Sequence, residues 1–512
     1  MTAISEDSAS KTVMIYSSRS KKEYVPDSDL YVAGDDTAVI TPAQSAANTA
    51  HLNSLLGMIQ LNGGKLRLVD KIMIDASLLT FDGLHILGDY WETGLICDPR
   101  ATPFNPFICT ELDGVHFERF MMDGMVHQRA GTDNAYGAIF LQHGVQNSAI
   151  EHLLLKRFGQ NSVEGSGNYL TIQCNQTANR DTRANEINHV KVEDEGTGAF
   201  AIRLFTEFDN ATPTDAYVRF VEDNTIYDLK CTGTTWSGVE IAGPGTIRNT
   251  LDTAVVKGCF GPSGFDVDKG ASYNTMRSLH VVDPVPDRGY NFTGFFDQGF
   301  LTQVGGNLDR IAYGNKWSDL FVIGGTQEAS LSMSVMNINN SVGTEVRGVT
   351  STAAQATGNA QALYGLQTFD SADVKLRDFQ TDGRYIGVLA NQGVTGLDID
   401  GANINNQQAG GSGARFTNDA TGVELNKFNV RGGSNGVQVV GTSTVVRGSI
   451  TGSKFTGQTY AALSCENNGR LFRGRVSGNT YDAATSTPIR VTDNTTFSYS
   501  DNRHGDVEHT LV

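Results

Sequence analysis

Apolar positions along this chain keep two rhythms, and the change from one to the other outlines an architecture. Leu52, Leu55, Leu56 and Ile59 fall at i, i+3, i+4 and i+7, one face of an α-helix. Thr41, Pro42 and Gln44 supply its start: a hydroxyl cap, a proline at the first helical position and the glutamine of a capping box. Asn62, Gly63 and Gly64 supply its stop. Ahead of it Gly34, Asp35, Asp36 and Thr37 read as a turn. Beyond it the rhythm becomes two-residue alternation in short runs at 65–69, 72–74 and 84–88, which predicts strands.

The alternation then recurs at a nearly constant interval. Glycine-led runs begin at Gly365, Gly387, Gly413 and Gly436, with intervals 387 − 365 = 22, 413 − 387 = 26 and 436 − 413 = 23. A further run begins at Ala461, 461 − 436 = 25 later, and a second strand starts inside the intervals at Val374, Gly396, Gly422, Thr444 and Arg470. Upstream, Gly238, Gly264 and Gly289 are spaced 264 − 238 = 26 and 289 − 264 = 25, and runs at Gly137 and Ala201 fit more loosely. Two or three strands per interval, with Gly and Asn at the turns, predict the coils of a parallel β-helix. Each coil leaves unpaired backbone on both edges, so the next must stack on it about 4.8 Å away. A leucine-rich repeat needs a fixed Leu/Asn consensus and a propeller needs blades of about 40–50 residues; neither pattern is present. The expected organisation is a tail at 1–30, a cap at 31–96, a β-helix at 97–485 and a terminal segment at 486–512, with longer insertions within 170–235 and 283–330. The polar stretch 341–360 reads as a loop or hinge.

Composition narrows the function. The 512 residues carry 39 − 56 = −17 charges, which repels nucleic acid and anionic membranes. No apolar run approaches the roughly 18 residues of a membrane span, and the first residues lack a secretory signal's basic and apolar regions. Six cysteines at 97, 109, 174, 231, 259 and 465 form no CxxC pair, so free buried thiols are expected. Arg19, Lys21 and Lys22 make a small basic cluster in the tail.

The order turn, amphipathic helix, Gly-Gly and short strands through 65–90 resembles the N-terminal cap of pectate-lyase-like right-handed, single-stranded parallel β-helices, in the version found in bacteriophage tailspikes and capsule depolymerases. That resemblance implies an all-β fold with a capping helix, a homotrimer and a virion-tail location. It also implies a bacterial surface polysaccharide (capsule, exopolysaccharide or O-antigen) as substrate, and attachment to the phage tail or an adaptor through the N-terminal segment. The sequence departs from that pattern in two ways: tailspikes of that type often carry a head-binding region of about 100 residues where about 30 precede the cap here, which suggests a short particle- or adaptor-binding peptide, a branched assembly or a trimmed chain, and the C-terminal segment has no obvious trimerisation module.

Candidate chemistry follows from the alternation. With Val239, Ile241, Phe265 and Val267 inward, Glu240, Asp266 and Asp268 point outward. Two residues along a strand span about 6.7 Å and one coil about 4.8 Å, so Glu240 and Asp268 lie about 8 Å apart at backbone level. Inverting glycosidases use carboxyls roughly 6.5–9.5 Å apart and retaining ones about 5–5.5 Å. The Glu240/Asp268 and Asp266/Asp268 pairs suit inversion, and Glu240/Asp266 suits retention. These three are the expected catalytic residues, with Trp236, Arg203, Arg248, Lys269, Arg288, Tyr290 and Asn291 binding substrate. Glu207, Asp209, Asp283, Asp287 and Asp297 are secondary candidates, and Phe292, Phe295 and Phe296 are either core or groove. His143, His152 and His189 read as turn or surface residues. No cofactor and no metal are expected, although Asp181 and Asp209 have asparagines nearby. Two other readings stay open: a polysaccharide lyase, using Arg203, Lys269 or Arg288 near Glu240, and a non-catalytic glycan-binding adhesin.

Overall fold

The computed structural model describes residues 22–26, 40–128, 136–159, 167–207, 217–234, 236–285, 291–299, 311–324, 326–327, 332–352, 355–356, 363–407, 410–440, 443–465, 469–482, 485, 488–491, 496–504 and 507–509. The turn expected at 34–37, most of the tail with Arg19 and Lys21, and Asp209, Asp287, Arg288 and Tyr290 lie outside them.

The helix is Pro42–Asn62, with the caps its sequence specifies. Thr41 N–H donates to Gln44 Oε1 at 2.7 Å and Gln44 N–H donates to Thr41 Oγ1 at 3.3 Å. Gly63 closes it at φ 71°, its N–H donating to Ile59 O at 2.8 Å. Leu52, Leu55, Leu56 and Ile59 are buried. Three polar anchors fix the docking: Ser45 Oγ–H to Asp98 Oδ2 at 2.6 Å, Asn48 Nδ2–H to Met73 O at 3.0 Å, and Thr49 Oγ1–H to Asp75 Oδ1 at 2.7 Å.

The chain forms two units, each a parallel β-helix. Parallel strands joined by crossovers wind right-handed. The first unit comprises the described residues up to Glu207 and those within 217–240 and 245–254; the second comprises 241–244 and the described residues from Val255 on. In the first, His85 pairs with His116, His116 with Ala149, Ala149 with Glu186 and Glu186 with Thr225. Each of these coils is longer than the one before it. In the second, Lys316 pairs with Glu345, Glu345 with Lys375, Lys375 with Asp398, Asp398 with Glu424 and Glu424 with Ser449. From Lys375 on, these coils keep the short interval that the lead glycines mark in the sequence. Within the stretch read as a loop or hinge, Glu345–Ser351 is a strand, because Val346 and Val349 both reach the core.

Two backbone devices recur along the coils. The first is a residue in the left-handed region at one corner: Arg119 (φ 56°), His152 (53°), His189 (51°) and Asp228 (49°) in the first unit, and Ser278, Asp319, Gly348, Asp378 and Gly401 in the second. The second is the glycine that leads the repeated strand. A Cβ on Gly413 would lie 2.4 Å from Val430 Cγ2 and 2.5 Å from Gly436 O, so no larger residue fits there. Asparagine ladders tie neighbouring corners: Asn185 Nδ2–H donates to Asn224 Oδ1 and Asn224 Nδ2–H to Asn249 Oδ1, both at 2.9 Å, with all three side chains buried.

All six cysteines are free and buried. Burial pushes the Cys259 thiol up to about 12 and Cys109 higher, so neither forms a thiolate near neutrality. Native protein is expected to react negligibly with a thiol-specific chromogenic disulfide, and all six thiols should react once the chain is unfolded. Rapid reaction of the folded chain would show that a coil opens readily. No helix among the described residues is long and apolar enough to cross a membrane.

Candidate functional site

The acids singled out above sit on two strands, Ser237–Ala242 and Ser263–Asp268. Val239, Ile241, Phe265 and Val267 are each 1% exposed and belong to the core; Phe265 stacks on Phe295 with ring centroids 5.8 Å apart. Their neighbours Glu240, Asp266 and Asp268 take the alternate positions, as the period-2 pattern requires. That outward face is not open to solvent, however. Glu240 is 1% exposed, Asp266 6% and Asp268 8%. Each is walled in by its partners.

In the first unit Arg203 Nε–H donates to Glu240 Oε2. The guanidinium lies 4.3 Å from the Phe205 ring centroid and 5.3 Å from that of Phe200, so the ion pair is shielded by aromatic faces. Arg203 continues an outward column with Thr171 and Phe140. Trp236, just before the Glu240 strand, is 39% exposed. Arg248 is occupied at its own corner: Nη2 lies 2.5 Å from Glu222 Oε2 and Nε 3.2 Å from Asp223 Oδ1.

In the second unit Asp266 Oδ2 accepts from Ser263 Oγ–H at 3.4 Å. Asp268 collects stronger donors: Lys269 N–H at 2.6 Å and Gln298 Nε2–H at 2.8 Å on Oδ1, with Lys269 Nζ 3.5 Å from Oδ2. These charge-assisted contacts favour the ionised carboxylate. Lys269 itself turns the chain at φ 58°.

Here the register differs from the even spacing expected at Gly289. Phe265 pairs with Phe295 and Asp266 with Phe296, so the glycine that follows Gly264 in the stack is Gly294. Phe292 and Phe295 are the apolar residues that fill the core, and they set the register. Asn291 therefore precedes the strand, and its Oδ1 accepts Ser332 N–H at 2.8 Å. Near the C-terminus the partner of Gly436 is likewise Ala462 rather than Ala461, since Val437 pairs with Leu463. Asp297 pairs with Val267 and points inward; it is a core residue, not a groove residue.

The true register exposes residues that spacing alone overlooked. Asp266, Phe296, Asn337, Gln367, Leu389, Arg415 and Gln438 occupy one outward column, one per coil. Arg415 Nε–H donates to Gln438 Oε1 at 2.9 Å, and its guanidinium lies 5.4 Å from the Tyr385 ring centroid. The signal was present as the third residue of each glycine-led run, polar in Arg415 and Gln438. A row of amide, guanidinium and aromatic groups along stacked coils offers repeated contacts to an extended polyhydroxyl chain.

In the first unit His85, His116 and Glu118 bring donor atoms within 4.8 Å of one another, a set that suits a divalent cation. The two rings stack at 4.3 Å, and His116 Nε2 is 3.2 Å from Glu151 Oε2. Burial holds the His85 imidazole below its ordinary 6.5, and the His85 contact chiefly holds Glu118 down at about 2. A histidine with a lowered folded value loses stability as pH falls through 6.5. A carboxyl with a lowered value loses it below 4.5, as pH falls toward 2. Both act in one direction, so the melting temperature is expected to fall on acidification from about pH 7 to about pH 3. Glu118→Gln should flatten the lower part of that profile.

No protein-family model and no curated protein matches the sequence. Solved structures do show likeness. The Dettilon tailspike protein aligns with a TM-score of 0.40 at 12% identity, over 92% of this chain and 68% of that one. The mannuronan C-5 epimerase A-module of Azotobacter vinelandii aligns at 0.38 and 12%, over 90% and 95%. The catalytic domain of an α-1,3-glucanase bound to nigerose aligns at 0.44 and 15%, over 86% and 68%.

Proposed function

We propose that this chain is a depolymerase of the tailspike type. It binds a bacterial surface polysaccharide along its coils and hydrolyses internal glycosidic bonds by carboxylate acid/base chemistry. One observation carries the reading: Asp266 and Asp268 stand two residues apart on one strand, away from the hydrophobic core, and are nonetheless buried. Burying carboxylates is costly unless they are used or paired, and such pairs are the working parts of glycosidases. Asp268, fed by Lys269 and Gln298, is the ionised partner that attacks the anomeric carbon: its carboxylate oxygen comes within 4.8 Å of that of Asp266, too close to leave room for an activated water between them. Asp266, whose Oδ2 meets the neutral hydroxyl of Ser263 and which has Phe296 beside it in the column, is the acid that protonates the leaving oxygen. Lys269, Arg415 and the amides of the outward column hold the glycan. In this reading the protein works as a homotrimer on a virion tail, attached through its N-terminal segment.

The test is mass spectrometry of the products released from a panel of bacterial capsules. Fragments of whole repeat units that have each gained one water support hydrolysis. Unsaturated fragments that absorb in the ultraviolet would replace it by elimination, and binding with no new reducing ends would replace it by adhesion.

A further inference from the structure

The first unit holds a second concave site, built where the left-handed corner column meets a short helical turn. Tyr90–Glu92 forms a 3-10 turn that leaves the coil at Gly88. A Cβ at Gly88 would lie 2.4 Å from Thr93 Oγ1 and 2.7 Å from Arg119 O, so the turn departs there only because that residue is glycine. It carries Tyr90 and Trp91 over the corner, 58% and 42% exposed, with Tyr90 held at φ 58°. A left-handed tyrosine is a strained choice for a surface decoration.

Beneath them His152 and His189 stack with centroids 4.5 Å apart and an interplanar angle of 15°. His189 Nδ1 lies 2.5 Å from Asp228 Oδ2, and Trp91 Nε1–H donates to His152 O at 3.4 Å. Lys191 Nζ sits 5.4 Å from the Trp91 ring centroid and 2.5 Å from Glu193 Oε1. Lys230 Nζ is 3.7 Å from Asp228 Oδ1, with its side chain 64% exposed. These residues line a cavity of about 320 Å³, the size of a small-ligand site.

We propose that this cavity binds a carboxylate-bearing sugar residue of a polysaccharide, at a site separate from Asp266 and Asp268. Exposed Tyr and Trp faces take the C–H face of a sugar ring. Lys191 shares Glu193 with Lys156, and Lys230 faces Asp228, so three ammonium groups stand against two carboxylates at and beside the lining, in a chain of net charge −17; this favours a single negative charge on the ligand. Asp228 and the imidazoles accept and donate to hydroxyls, and the Asp228 carboxylate repels a phosphate dianion. A ligand with one carboxylate and several hydroxyls satisfies all of these groups. The proposal rests on the polysaccharide reading above, and adds the sign of the substrate's charge and a second anchoring point.

Isothermal titration calorimetry with tetragalacturonate and tetramannuronate, against maltotetraose and inorganic phosphate, tests it. At least one acidic tetrasaccharide is expected to bind saturably, and maltotetraose at least about tenfold more weakly. Added salt should weaken the acidic ligand. Trp91→Ala and Lys230→Ala should each cost about tenfold, and Trp91→Phe, which keeps a ring face, should recover part of the loss. Asp268→Asn should bind as wild type. Equal binding of acidic and neutral tetrasaccharides, displacement by millimolar phosphate, or unchanged affinity in both Trp91→Ala and Lys230→Ala would overturn the proposal. If a capsule is cleaved while this titration is silent, only this inference falls. If the cavity binds and no glycan is cleaved, the depolymerase reading falls and the cavity stands.

Discussion

Asp268→Asn and Asp266→Asn are each expected to lower the rate of reducing-end release by about 10²–10⁴-fold, the usual worth of a positioned acid or base. The fold should survive both. Asparagine keeps an acceptor oxygen for Gln298 Nε2–H and Lys269 N–H at position 268, and one for Ser263 at position 266. The loss should therefore appear in kcat, with KM and the melting temperature nearly unchanged. Glu240→Gln should differ. It removes the charge opposite a half-buried Arg203, so it should lower the melting temperature. Wild-type rates in both aspartate variants would remove Asp266 and Asp268 from the mechanism, whatever their burial.

The capping helix was fully legible in the sequence because every signal that makes it is local: Thr41, Pro42, Gln44 and Gly63 act within a few residues of the helix ends. The coils of the second unit were legible because the lead glycine is a steric necessity. At Gly387 and Gly413 a Cβ would strike the backbone oxygen of the next coil, so glycine recurs at this place in successive strands. Register was harder. At Gly289 even spacing pointed one way and core volume the other, and Phe292 and Phe295 decided for Gly294. The inward and outward faces of the acid strands followed from alternation, but alternation says nothing of what lies over the outward face. Arg203, Lys269 and Gln298 come from other turns and strands, and they turned expected surface acids into buried ones. The histidine corner was invisible for another reason. His152 and His189 occupy a left-handed position that elsewhere in the fold is Gly, Asp, Ser, Thr, Lys or Arg, and the coils there differ in length from one to the next. No fixed period marks them as neighbours.

Asp297→Ala is expected to lower unfolding free energy by about 3–5 kcal/mol, since each buried donor left without its acceptor costs about 1–3 kcal/mol. Asp297 is 0% exposed and anchors four donors: Trp317 Nε1–H at 3.0 Å, Asn315 Nδ2–H at 3.1 Å, Thr344 Oγ1–H at 3.1 Å and Ser341 Oγ–H at 3.4 Å. Alanine takes that acceptor from all four in a dry interior, beside the Phe295–Trp317 aromatic contact. Urea unfolding monitored by tryptophan fluorescence should show the midpoint drop, since Trp317 reports from the centre of the network. Activity per folded molecule should stay at the wild-type level, because Asp297 shares the inward face with Val267 and no route leads from it to a bound glycan. The opposite pattern, normal unfolding with abolished cleavage, would make Asp297 a catalytic acid and would mean that substrate reaches the core. The contrast with Asp268→Asn separates two uses of a buried carboxylate in one fold: at position 297 it holds coils together, and at position 268, next along the strand from the Val267 that pairs with Asp297, it faces outward to do chemistry.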